Sequence, residues 1–114
     1  MDRIFELGRL LDAYGALLTE RQQSVLDQYA NENCSLAEIA EREGISRQAV
    51  RDLLVRSERT LHDYEEKLRL CEKAAQQRAV VGAMARRFHD VSLAPSDRDA
   101  FDGYLLTLTE IWED

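Results

Sequence analysis

Residues 35–61, SLAEIAEREGISRQAVRDLLVRSERTL, read as two short helices crossing at a steep angle around a tight turn, a helix-turn-helix. Three positions carry that reading. Ala40 supplies the small side chain that the crossing point requires. Gly44 supplies a residue that tolerates positive φ in the turn. Val50 supplies the branched apolar residue that the second helix must bury against the first, and Ile39, Ile45 and Leu53 complete a small wedge-shaped core. Ser35 is placed to cap the first of the two helices, with Glu38 as its capping-box partner, and Ser46 to cap the second.

Outward from this motif the chain stays helical. Glycine is scarce, Pro95 is the single proline, and the hydrophobic content is 45%, ordinary for a globular domain. No alternating strand-length run stands out, so the fold class is all-α. A first helix is expected over about Ile4 to Leu18, with Gly8 and Gly15 allowing close helix approach. A second is expected from Glu20 to Glu32, opened by a Thr19–Gln22 capping box and stopped near Asn31 and Asn33. After Ser46 no helix breaker occurs before Gly82. The fourth helix is therefore expected to run from Arg47 to Gln77, roughly 45 Å long at 1.5 Å per residue. Val50, Leu53, Ser57, Leu61, Tyr64, Leu68, Cys71 and Ala75 fall on one face of it. Val80, Met84, Phe88 and Val91 form a second stripe on the opposite side, which predicts a break between Gln76 and Gly82. Ser96 or Asp97 starts a last helix whose apolar face holds Phe101, Tyr104, Leu105, Leu108, Ile111 and Trp112. The domain reading is a helix-turn-helix domain over residues 1–73 and a C-terminal helical segment over 74–114, used for packing or dimerisation.

Several functions are set aside by composition. No apolar window of about 18 residues exists to cross a membrane. The opening MDRIFELGRL carries acids and lacks a signal-peptide core, so a cytoplasmic location is expected. Cys34 and Cys71 read as reduced thiols with one of them buried. His62 and His89 are isolated from them, so neither a metal nor a cofactor is implied. With no glycine-rich phosphate loop and no nucleophile-plus-base pattern, the chain does not read as an enzyme. Glu65 and Glu66 diverge on a helix and form no paired carboxylate; DYEEKL reads as a surface with Tyr64 and Leu68 inward.

The chain carries a net charge of −7, which opposes a nucleic-acid role at long range. Its distribution is uneven. Residues 1–34 carry −3, residues 35–60 are neutral, residues 61–91 carry +1, and residues 92–114 carry −5. On the fourth helix the buried stripe leaves Arg47, Gln48 and Arg51 together on an outer face near the N-terminus, where such motifs meet the major groove. Arginine pairs in bidentate fashion with guanine and glutamine with adenine. Ser35 and Ser46 at helix N-termini are candidate phosphate contacts, and Arg42, Arg56 and Arg59 candidate backbone contacts.

The run FELGRLLDAYGALLTERQQSVLDQYANENCSLAEIAEREGISRQAVRDLLVRSERTLHDYEEKLRLCEK, residues 5–73, resembles the YlxM family of small bacterial helix-turn-helix proteins. The matching pieces are LLDAYGALLTERQQ, DQYANENCSLAEIAE, GISRQAV and LHDYEEKL. The motif is also similar to region 4 of sigma factors, a winged-helix-like head without the wing. The resemblance implies a regulatory or accessory factor near the signal recognition particle, with Ser46, Arg47, Gln48 and Arg51 at the reading positions. Three roles follow as expectations. The first is a homodimer binding double-stranded DNA through the fourth helix. The second is a protein-interaction module for the signal recognition particle GTPase or RNA polymerase. The third is an RNA binder using Lys67, Arg69, Lys73, Arg78, Arg86 and Arg87.

Overall fold

The computed structural model describes residues 2–111. Within them the chain forms α1 (Arg3–Tyr14), a 3-10 turn (Gly15–Leu17), α2 (Glu20–Ala30), α3 (Leu36–Glu43), α4 (Arg47–Leu68), α5 (Leu70–Asp90) and α6 (Pro95–Glu110). No strand occurs among the described residues, and none of their helices is long and apolar enough to cross a membrane. The chain divides into two compact units, Met1–Cys71 and Glu72–Asp114.

Each of α1 to α4 starts with a side-chain cap. Asp2 accepts from the Ile4 amide at 3.0 Å. Thr19 and Gln22 exchange hydrogen bonds of 3.2 and 2.9 Å as a capping box. Ser35 and Glu38 do the same at 3.1 and 3.0 Å, and Ser46 Oγ accepts from the Ala49 amide at 3.0 Å. Each such cap is worth about 1 kcal/mol, because it satisfies an amide that the helix cannot bond internally. The core they frame holds Leu7, Leu10, Tyr14, Leu18, Val25, Leu26, Cys34, Ile39, Ala40, Val50, Leu54 and Leu61. A fully buried leucine or valine contributes about 1.5–3 kcal/mol. Ser57 is buried on α4 with no hydrogen-bond partner for its hydroxyl, a cost this packing carries.

Several sequence expectations are corrected here. Phe5 on α1 and Leu17 in the 3-10 turn are exposed although they share the apolar spacing of their neighbours. The glycines do not serve close helix approach. A Cβ on Gly8 would sit 3.5 Å from the Asn31 side chain, an ordinary contact, and one on Gly15 would press on Leu11 of the preceding helix at 3.1 Å. On α4, Leu54 is buried and Leu53 half-buried, so the stripe is wider than one narrow line. Leu68 points outward.

The expected break between Gln76 and Gly82 is absent; α5 runs through it. The interruption falls earlier, at Arg69, which adopts the left-handed conformation with φ 57°. For a non-glycine residue that costs about 1–2 kcal/mol. Two side chains compensate. Tyr14 Oη accepts from the Leu70 amide at 3.0 Å, and Glu65 Oε1 accepts from the Cys71 amide at 3.0 Å. Tyr14 donates to the same Glu65 oxygen at 2.6 Å.

In the second unit, α5 and α6 meet through Phe88 and Phe101, whose rings stack at 4.8 Å. Gln77 Nε2 donates to the Leu108 carbonyl at 2.7 Å. That pairing buries Ala74, Val81 and Leu105 and sets the face of α5. Val80, Met84 and Val91, expected as a buried stripe, are exposed as a result. On α6, Tyr104 and Ile111 are exposed as well, and Trp112 lies outside the described residues. Pro95 rather than Ser96 or Asp97 opens α6, at its first position. Arg98, the one base in the acidic segment, donates to the Phe88 and Val91 carbonyls at the end of α5.

Burial and the bond to Glu65 push the Tyr14 hydroxyl up to about 12. A raised folded-state value means that its stabilisation is complete below the unfolded value of about 10 and is lost as pH climbs towards 12. Tyr14→Phe should cost about 1–3 kcal/mol at neutral pH. In urea melts the gap between wild type and variant should narrow at pH 11; a gap that is independent of pH contradicts this assignment.

Candidate nucleic-acid interface

The rotational setting of α4 follows from the turn before it. Gly44 caps α3 in the left-handed conformation with φ 69°, the region glycine enters without penalty. Ile45 returns its amide to the Ala40 carbonyl at 3.1 Å, and Ser46 opens α4. Ile39 and Val50 are wholly buried at the crossing and Ala40 nearly so. With Val50 inward, positions 47, 48 and 51 must turn outward at about 100° per residue, and all three are exposed.

Among the described residues, Arg47 and Arg51 make no side-chain hydrogen bond or ion pair. Gln48 Nε2 donates to Asp52 Oδ1 at 2.9 Å, which leaves its carbonyl oxygen and second N–H directed elsewhere. Arg56 folds back, its Nε donating to the Asp52 carbonyl at 3.4 Å. Arg59 is exposed one turn further. Arg42 is engaged: Nη1 donates to Cys34 Sγ at 3.3 Å and lies 3.9 Å from Glu32.

The two cap serines differ in a way their sequence positions do not announce. At α3 the Ser35 amide is already bonded by the Glu38 carboxylate, and that amide, before any other cause, holds Glu38 below the usual carboxylate range. A phosphate arriving there meets an anion already in place. The first turn of α4 contains no acidic residue. Its positive dipole end faces no resident carboxylate, and Ser46 Oγ, which accepts from the Ala49 amide, can still donate its own proton. Ser46, Arg47, Gln48 and Arg51 therefore share one end of α4. Arg56 lies a further turn along it, and Ser35 belongs to another helix.

Several acids of the first unit are bonded to their own neighbours. Glu43 accepts from Ser24 and Gln28, both at 3.1 Å, and pairs with Arg21. Glu58 binds Arg3, which also lies over the Tyr29 ring. Of the cations singled out for RNA, Lys67 and Arg69 fall in the first unit and Lys73, Arg78, Arg86 and Arg87 in the second. Among the described residues no cluster of His, Cys, Asp or Glu could hold a metal ion, and both cysteines are free thiols. Sequence reasoning missed the role of Asp52 in holding Gln48, although the i, i+4 spacing signals it.

Known proteins resemble this chain over the same region. A UPF0122 protein of Clostridium perfringens is 52% identical over 73 residues, 64% of this chain and 65% of the relative. One from Desulforamulus reducens is 49% identical over 77 residues, covering 68% of this chain and 66% of the relative. One from Acetivibrio thermocellus is 50% identical over 78 residues, covering 68% and 67%. The chain thus spans about two thirds of the curated relatives it matches. Residues 1–94 match the family described as "Putative helix-turn-helix protein, YlxM / p13 like", and with that extent of match the chain belongs to this family, UPF0122.

Proposed function

We propose that this chain is a DNA-binding regulatory or accessory factor that lays the N-terminal half of α4 in the major groove. The observation that carries the reading is the exposed set Arg47, Gln48 and Arg51 beside a helix N-terminus free of acid. Arg47 and Arg51 offer forked donors for guanine, Gln48 a donor–acceptor pair for adenine, and the Ser46 end a phosphate contact. Arg56 and Arg59 extend the same helix towards the phosphate backbone. By the YlxM resemblance, the setting proposed for this activity is the signal recognition particle pathway, in the cytoplasm.

The working form proposed is a homodimer, since an operator half-site per subunit places two reading helices at a fixed spacing. Its support is apolar surface in the second unit, where Val80, Met84, Tyr104, Leu106 and Ile111 are all exposed. The net charge of −7 favours a second reading, in which the same fold docks on the signal recognition particle GTPase or on RNA polymerase. Recovery of either partner from nuclease-treated lysate, by a variant lacking Arg47 and Arg51, would establish that reading over the first.

Fluorescence anisotropy with labelled duplex from the chain's own operon, at two salt concentrations, tests the DNA reading. Binding should weaken steeply with salt, because each neutralised phosphate contributes a slope of about −0.9. Arg47→Ala and Arg51→Ala should each weaken binding by about tenfold or more, the scale of one lost bidentate contact at 1–3 kcal/mol. No binding at low salt, or full binding by the double variant, overturns it.

A further inference from the structure

The run HDYEEKLRLCEKAAQ, residues 62–76, holds no glycine or proline and is rich in strong helix formers. The helix is nevertheless interrupted at one residue. Arg69 sits at φ 57° and ψ 31°, and helix resumes at Leu70. In an unbroken helix the Leu70 and Cys71 amides would donate to the carbonyls of Glu66 and Lys67, four residues back. Here they donate to the Tyr14 hydroxyl and the Glu65 carboxylate. Cys71 is also gripped from α1: Arg9 Nη2 donates to its carbonyl at 3.3 Å, and its thiol donates to the Arg9 carbonyl at 3.6 Å. The break is thus held jointly, by Tyr14 and Arg9 from α1 and by Glu65 from α4 itself.

We propose that the Arg69 junction is a two-state joint. With α1 docked, Tyr14 and Glu65 hold α4 and α5 apart as separate helices; with those acceptors withdrawn, the two merge into one helix through Arg69. Both states satisfy the same two amides, the first from side chains and the second from the backbone, so neither leaves a buried donor unpaired. The left-handed residue favours the merged state, and the contacts of α1 favour the broken one. Displacing α1 withdraws Tyr14 and the Arg9 contacts and so shifts the balance at Arg69 towards the merged helix, while Glu65 stays on α4. The inference stands apart from the nucleic-acid reading and needs no ligand.

The test is NMR on the full chain carrying Tyr14→Phe and Glu65→Ala, with Arg69 φ taken from its three-bond HN–Hα coupling and Cα shift. The sign of φ at Arg69 should reverse, residues 70–73 should keep helical shifts, and the Leu70 amide should remain protected from exchange. Positive φ retained at Arg69 in the double variant overturns the joint, as does loss of helical shifts at 70–73, which marks a simple cap. If the double variant does not fold, Tyr14→Phe alone is read by the Leu70 amide: protection kept supports the joint, and protection lost overturns it.

Discussion

Burial of Val50 against Ile39 and Ala40 is the contact on which the rest of the molecule depends. It fixes how α4 is rotated about its own axis, and rotation decides which side chains meet solvent. A turn of 100° would exchange Val50 for Arg51 in the core, an exchange that strands a guanidinium without water. The apolar wedge therefore positions the polar ridge: Arg47, Gln48 and Arg51 stand outward because their neighbour cannot. Gly44 makes the geometry accessible by letting the chain reverse within one residue.

A chain with net charge −7 can present such a ridge because several acids near it in the fold are locally employed. Glu38 closes a capping box, Glu43 binds Ser24 and Gln28, Glu58 binds Arg3, and Glu65 serves the α4–α5 junction. Asp52 is the acid that stays close to the ridge, and it is bonded to Gln48. Repulsion of phosphate by the summed charge is largely screened beyond a Debye length of about 8 Å at physiological salt. Close contact at the N-terminal end of α4 is governed instead by local groups, and there Arg47 and Arg51 face the single acid Asp52.

The parts of the fold legible in the sequence are those set by residues near each other in the chain. Both capping boxes, the Ser46 cap and the Gly44 turn involve partners within a few positions, and each occurs where its spacing indicates. The helix break does not. Glycine and proline are absent between Leu61 and Gln77, and one of the two acceptors that hold the interruption is Tyr14, more than fifty residues upstream. Val80 and Met84 misled for a related reason: periodicity shows that an apolar stripe exists, while the Phe88–Phe101 stack decides which face of α5 is covered. At the site, exposure of Arg47 and Arg51 followed from the stripe on α4. The contrast between the two serine caps needed the Glu38 carboxylate to be seen on the Ser35 amide.

The central claim is that the outward ridge of α4 is where duplex DNA is held. An NMR titration of the labelled chain with operon duplex measures this directly through the side-chain Nε–H signals of Arg47 and Arg51 and the Gln48 carboxamide. Those signals, with the amides of residues 46–52, should shift or broaden first and saturate together with binding. Perturbation confined to α1, α2 or the second unit, with the α4 side chains unmoved, would contradict it.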